Sequence, residues 1–145
     1  MKWFRRIAIG LSVLGVLGFL AIQLVPYGRK HTNSPVVREP IWPSPEVRAL
    51  AKRACFDCHS NEVVWPWYSN VAPVSWMIQR DVDEGRRKLN FSEWGTRRDE
   101  RDAAEQVQQG KMPEPKYLLT HPEARLTNAE KQMLIDGLQA IAGRR

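Results

Sequence analysis

Apolar residues are spread unevenly along this chain. From Ile7 to Val25 the run IAIGLSVLGVLGFLAIQLV carries no charge, and only Ser12 and Gln23 bring polar side chains. At 1.5 Å rise per residue a helix over this run is roughly 28 Å long, close to the hydrocarbon thickness of a bilayer. It is apolar all round rather than along one stripe, so it predicts a transmembrane helix over 7–25. From Pro26 the periodicity stops. The stretch PYGRKHTNSPVVREPIWPSP holds five prolines and predicts an extended, semi-rigid spacer over 26–44.

Helical periodicity resumes at Ser44-Pro45-Glu46, an N-cap, a first-turn proline and a first-turn acid. Val47, Leu50, Ala51 and Ala54 then recur at helical spacing up to Cys55. A second helix is predicted over 74–88 behind Ala72-Pro73, with Val74, Met77, Ile78 and Val82 inward. A third starts at Thr96, with Asp99 three residues on, and reaches Gln109 before Gly110; its inner face is only Ala103, Ala104 and Val107. The last opens with the capping box Thr127-Asn128-Ala129-Glu130, presents Met133, Leu134, Leu138 and Ile141 on one face, and stops before Gly143. Outside the anchor there is no β-branched run and no hairpin signal. The expected architecture is all-α: an N-terminal transmembrane helix plus a small helical domain over 45–143. Its long connections at 60–72 and 111–126 suit a domain that wraps a ligand.

Charge refines the topology. Lys2, Arg5 and Arg6 form a basic start that suits either a cleaved signal or an anchor. Neither Ala21-Ile22-Gln23 nor Pro26-Tyr27-Gly28 fits the small-residue cleavage pattern, and the apolar run exceeds a usual signal core, so an uncleaved anchor is expected. The basic bias favours a single-pass topology with residues 1–6 in the cytoplasm and everything after Tyr27 exported. The net charge of +6 misleads, because residues 1–30 hold five Lys/Arg and no acid. Residues 31–145 carry seventeen basic against sixteen acidic groups, which offers no electrostatic case for nucleic acid.

The candidate chemistry is concentrated in Cys55-Phe56-Asp57-Cys58-His59. A disulfide across three residues closes almost no loop, and a redox C-x-x-C normally accompanies a βαβ pattern that is missing here. Zinc would need a fourth ligand, and no second Cys/His pair stands at finger spacing. C-x-x-C-H as a c-type haem attachment site uses every residue: Cys55 and Cys58 as covalent thioethers, His59 as proximal iron ligand. The exported setting agrees. A sixth iron ligand is then sought, and Gly110-Lys111-Met112-Pro113 offers Met112 on a Gly/Pro-flanked loop. His121, in Leu119-Thr120-His121-Pro122, is the rival ligand or a haem propionate contact; His31 is expected to be solvated in the spacer. Trp65, Trp67 and Tyr68 are placed to cover a flat apolar cofactor, while Met77 and Met133 read as core fillers. Arg86, Arg87, Lys88, Arg97, Arg98 and Arg101 form a basic stretch, read as solvated faces, propionate partners or a docking patch.

The blocks C-F-D-C-H-S-N, P-W-Y-S-N-V-A-P-V-S-W, E-G-R-R-K-L-N-F-S-E-W and K-M-P-E-P-K-Y-L-L-T-H-P-E-A-R-L-T, in that order, resemble the haem-binding-domain family of small bacterial membrane-anchored c-type cytochromes. The resemblance covers about residues 45–142. It implies a cytochrome c-like helical domain with one covalently attached haem c, held by Cys55, Cys58 and His59 with Met112 opposite. The expected role is single-electron transfer between periplasmic or membrane redox proteins, without enzymatic activity of its own. The alternative is a haem-based sensor or peroxidase-like enzyme with an open sixth position.

Overall fold

The computed structural model describes residues 1–96 and 99–143, and every regular element among them is helical. The chain divides into two compact units, Met1–His31 with Trp65–Arg80, and Thr32–Val64 with Asp81–Arg145.

In the first unit, α1 covers Lys2–Ile22 and buries no residue. It is long and apolar enough to cross a membrane. Nothing stops the helix at its basic start, so Lys2, Arg5 and Arg6 join it. It ends earlier than the apolar run because Gln23 turns aside: its Nε2 donates to Ala72 O and its Oε1 accepts from Ala72 N, both at 3.0 Å. Gly28 has φ +78, and a Cβ there would lie 2.6 Å from the carbonyl carbon of Ser75. Only glycine allows both that conformation and that approach. The expectation of a solvated His31 is corrected: its Nε2 lies 3.1 Å from Ser69 O and its ring stacks on Trp65 at 4.5 Å. A short 3-10 turn, Trp67–Asn70, completes this unit's irregular part.

In the second unit the proline-rich residues from Thr32 to Ser44 are extended and run along other chain segments. Val37 N and Arg38 N donate to Ser92 O, and Trp94 N donates to Arg38 O. α2 (Pro45–Ala54) starts as its cap predicts, with Val47 N donating to Ser44 Oγ. α3 (Phe56–His59) follows after Cys55. α4 (Val74–Lys88) has the predicted bounds and begins in the first unit. The third predicted helix is shorter: a 3-10 turn over Asp99–Asp102 precedes α5 (Ala103–Gln108). The cause is Glu100, which is buried and folds its carboxylate back onto Gly95 N and Thr96 N. Arg97 and Arg98 lie outside the described residues. The 111–126 connection holds two turns the pattern missed, α6 (Tyr117–Thr120) and a 3-10 turn at Pro122–Ala124. α7 (Asn128–Ala142) carries the predicted capping box.

The core joins Leu50, Phe56, Phe91, Trp94, Val107, Leu134, Leu138 and Ile141. Phe91 is its aromatic hub, stacked on Phe56 at 5.5 Å and on Trp94 at 5.8 Å. Three expected core positions are corrected. Val74, Met77 (57% exposed) and Met133 (45% exposed) face outward. In their place α4 buries Ser75, Val82 and Gly85, and α7 buries Leu134, Ile135, Gly137, Leu138 and Ile141, with Gly137 against Val47 of α2.

Candidate functional site

The two cysteines and the histidine share one turn. Cys55 closes α2, and its carbonyl accepts from Cys58 N at 3.2 Å and His59 N at 2.9 Å. Phe56, fully buried in the core, anchors the turn from inside. Both thiols are free. Burial pushes Cys55 up to about 12, and burial with the carboxylates of Asp81, Asp57 and Glu114 does the same to Cys58. A redox-active C-x-x-C depends on a lowered thiol pKa, so this environment runs against that chemistry. Among the described residues no three His, Cys, Asp or Glu side chains gather as a metal-binding group.

His59 is oriented by backbone atoms of another block. Its Nδ1 lies 3.0 Å from Gly85 O and 3.1 Å from Leu89 O. Both neighbours are acceptors only, so Nδ1 carries the proton and Nε2 keeps its lone pair. Burial lowers the pKa of this ring, which favours the neutral, ligating form. The carbonyl of His59 accepts from Phe91 N at 2.8 Å. Around it, Asn90 Nδ2 donates to Asn61 Oδ1, Asn61 N to Ser92 Oγ, and Arg86 Nε to Ser60 O. Arg86 also reaches Thr32 O and Asn33 Oδ1, so it is a structural brace rather than a solvated or docking group. Arg87, Lys88 and Arg101 are exposed, as expected. Gly85 makes the contact possible: a Cβ there would lie 2.9 Å from the carbonyl carbon of Cys58 and 3.1 Å from its Cβ.

The loop carrying Met112 closes on the same turn. Gly110, at φ +70, reverses the chain after α5, and Lys111 N and Met112 N both donate to Gln106 O. Met112 is partly buried and packs against the core cluster that Cys55 also touches. Lys116 Nζ bridges Asp81 and Glu114, at 2.9 Å from each. Tyr117 donates its hydroxyl to Asp57 Oδ2 at 2.8 Å, while Asp57 Oδ1 accepts from Val64 N. Burial and the Asp57 charge raise the Tyr117 phenol far above its usual range. His121 stacks face to face on Tyr117 at 4.0 Å, and its Nδ1 lies within hydrogen-bond distance of Tyr117 O and Thr120 Oγ1.

Cys55, Cys58 and His59 are thus brought together with the loop of Met112 and, through Tyr117, with His121. Trp65, Trp67 and Tyr68 lie in the other unit. Trp65 stacks on His31 with its indole N–H buried and without an acceptor among the described residues, and Trp67 packs edge-on to Tyr68 at 5.7 Å. Sequence reasoning passed over Gly85, Asp57 and Tyr117. The first had a signal, since a lone glycine inside a helical pattern usually marks a close approach. In a comparison with known families, a family model described as a haem-binding domain matches residues 17–140. No curated protein and no solved structure matches the chain.

Proposed function

The chain belongs to the haem-binding-domain family, and from that premise we propose a membrane-anchored, periplasmic monohaem cytochrome c that passes single electrons between redox partners. The residues suit a covalent haem. Two thiols and an imidazole nitrogen leave a single turn, and a thioether stands on the loop that closes against it. Each thiol S–H would add across one vinyl C=C, forming a C–S bond with its hydrogen going to the other vinyl carbon, so no oxidant is required. Once bound, the haem supplies one-electron iron chemistry.

The observation that carries the reading is the fixed tautomer of His59, whose Nδ1–H faces two carbonyls and leaves Nε2 as the donor. Gly85 and Leu89 hold that ring, Phe56 roots the attachment turn in the core, and Tyr117 and Lys116 hold the Met112 loop. His121, locked onto Tyr117, is read as a support of that loop or a contact to a haem propionate. α1 holds the domain at the membrane.

Intact mass of the full-length chain from a host with haem-attachment machinery tests the cofactor. A gain of one haem is expected, lost in Cys55→Ala/Cys58→Ala; a bare polypeptide mass sinks the proposal. The oxidised protein should show the weak long-wavelength band of a Met–iron bond, absent in Met112→Ala. A high-spin spectrum that shifts with added small ligands would instead make the protein a sensor or peroxidase-like enzyme.

A further inference from the structure

We propose that the segment Trp65–Trp76 is a second membrane contact, lying in the headgroup layer beside the exit of α1, with Trp67 as its aromatic anchor and anionic lipid as its preferred surface. This rests on the reading of α1 as a membrane span.

Three observations within the first unit converge. The segment is tied to the end of the span at successive points. Gln23, the residue that caps α1, pairs with both backbone groups of Ala72, Gly28 admits the backbone of Ser75 where no Cβ fits, and His31 engages Ser69 O and the Trp65 ring. Residues 65–76 are therefore held at the level where the chain leaves the apolar layer.

The exposed chemistry is that of a membrane interface. Trp67 is 79% exposed and Leu24 84% exposed, with Val25 and Tyr27 also exposed. An indole with an apolar body and one N–H donor is the side chain that concentrates at headgroup depth. The proposal assigns the exposed Trp67, tethered beside the span, to lipid instead of to the cofactor.

Charge points the same way. Residues 1–31 and 65–80 contain no Asp or Glu, and all sixteen acids of the chain lie in the second unit. On the exported side the first unit carries Arg29 and Lys30 next to the end of the span. A unit whose own residues include no acid, with basic groups beside exposed aromatics, fits an anionic bilayer face.

The test uses the full-length holoprotein in phosphatidylcholine/phosphatidylglycerol vesicles doped with a lipid photoreactive near its glycerol backbone. Cross-linked residues are mapped by peptide mass spectrometry. Cross-links in α1 and at 65–76 are expected, with those at 65–76 falling several-fold in Trp67→Ala and in pure phosphatidylcholine, while those in α1 stay. Labelling of α1 without labelling of 65–76 overturns the proposal and returns Trp67 to the cofactor. Labelling at 65–76 that persists in Trp67→Ala overturns the role of Trp67, and labelling equal in neutral vesicles overturns the preference for anionic lipid. Labelling of neither segment overturns the membrane-span reading itself.

Discussion

Gly85→Ala asks the most of this structure, because helix propensity and packing predict opposite signs. In an ordinary helix interior alanine is favoured over glycine by ~1 kcal/mol. At position 85 the new Cβ would stand 2.9 Å from the carbonyl carbon of Cys58, closer still to its oxygen, and 3.1 Å from its Cβ. Overpacking a filled interior costs ~1–3 kcal/mol, and the upper end applies where the opposing atoms are backbone that cannot rotate away. The difference is a net loss of about 2 kcal/mol, or about 8–16 °C in Tm for a domain of this size. The shift that relieves the clash moves the turn bearing Cys58 and the carbonyl that orients His59. Attached haem per chain should therefore fall along with Tm. The assay is thermal unfolding of the full-length protein in detergent by circular dichroism, with haem quantified by pyridine haemochrome. A variant several degrees more stable than wild type, with full haem, would show that propensity wins and that α4 does not press on the attachment turn.

Gly137→Ala meets a side chain instead, with Val47 Cγ2 at 3.2 Å, so its loss of about 1 kcal/mol should be relieved by adding Val47→Ala; strictly additive unfolding free energies would refute the contact. Tyr117→Phe removes the hydrogen bond to Asp57 from a half-buried phenol, and about 1 kcal/mol should be lost, with faster imidazole entry at the sixth iron position in stopped-flow spectra. Unchanged stability together with an unchanged imidazole rate would dismiss Tyr117 as a brace. Glu130 has its carboxyl held down at about 2, first by Arg53 and then by the Thr127 backbone and hydroxyl. A depressed folded pKa contributes stability above the ordinary carboxyl range and loses it as pH falls through about 2. The Tm deficit of Glu130→Gln should then be full at neutral pH and shrink between pH 4 and 2, and a deficit constant across that range would contradict the pairing.

Much of the helical framework was legible because local rules govern it. Ser44-Pro45, the Thr127 capping box and the 74–88 bounds depend on neighbours in sequence, and they stand as read. What was not legible depends on partners far along the chain. Gly85 and Gly137 make close contacts from α4 and α7 that no hydrophobicity signals. The 96–109 helix is shortened by Glu100, whose buried carboxylate finds backbone donors instead of water. At the site, the C-x-x-C-H turn stood out by its residue types and spacing. Its supports did not, since the carbonyls of Gly85 and Leu89 bind through atoms every residue possesses.

That difference divides the two sides of the site. His59 is held by Gly85 O, Leu89 O and Phe91 N, main-chain atoms that most substitutions leave in place, so its orientation persists as long as α4 keeps its approach. The Met112 loop is held by side chains, to that turn by the Tyr117 hydroxyl on Asp57 and to α4 by the Lys116 ammonium on Asp81. Each of those ties can be deleted by one substitution. The exposed ion pairs of Lys116 are individually weak, whereas the Tyr117–Asp57 bond joins a half-buried phenol to a charged acceptor and is the stronger restraint. The His59 side is thereby fixed by the fold and the Met112 side by a few replaceable contacts. If the sixth position decides between electron carriage and ligand sensing, the residues that decide it are Asp57 and Tyr117 before Met112 itself, because a thioether on an untethered loop yields to any stronger ligand.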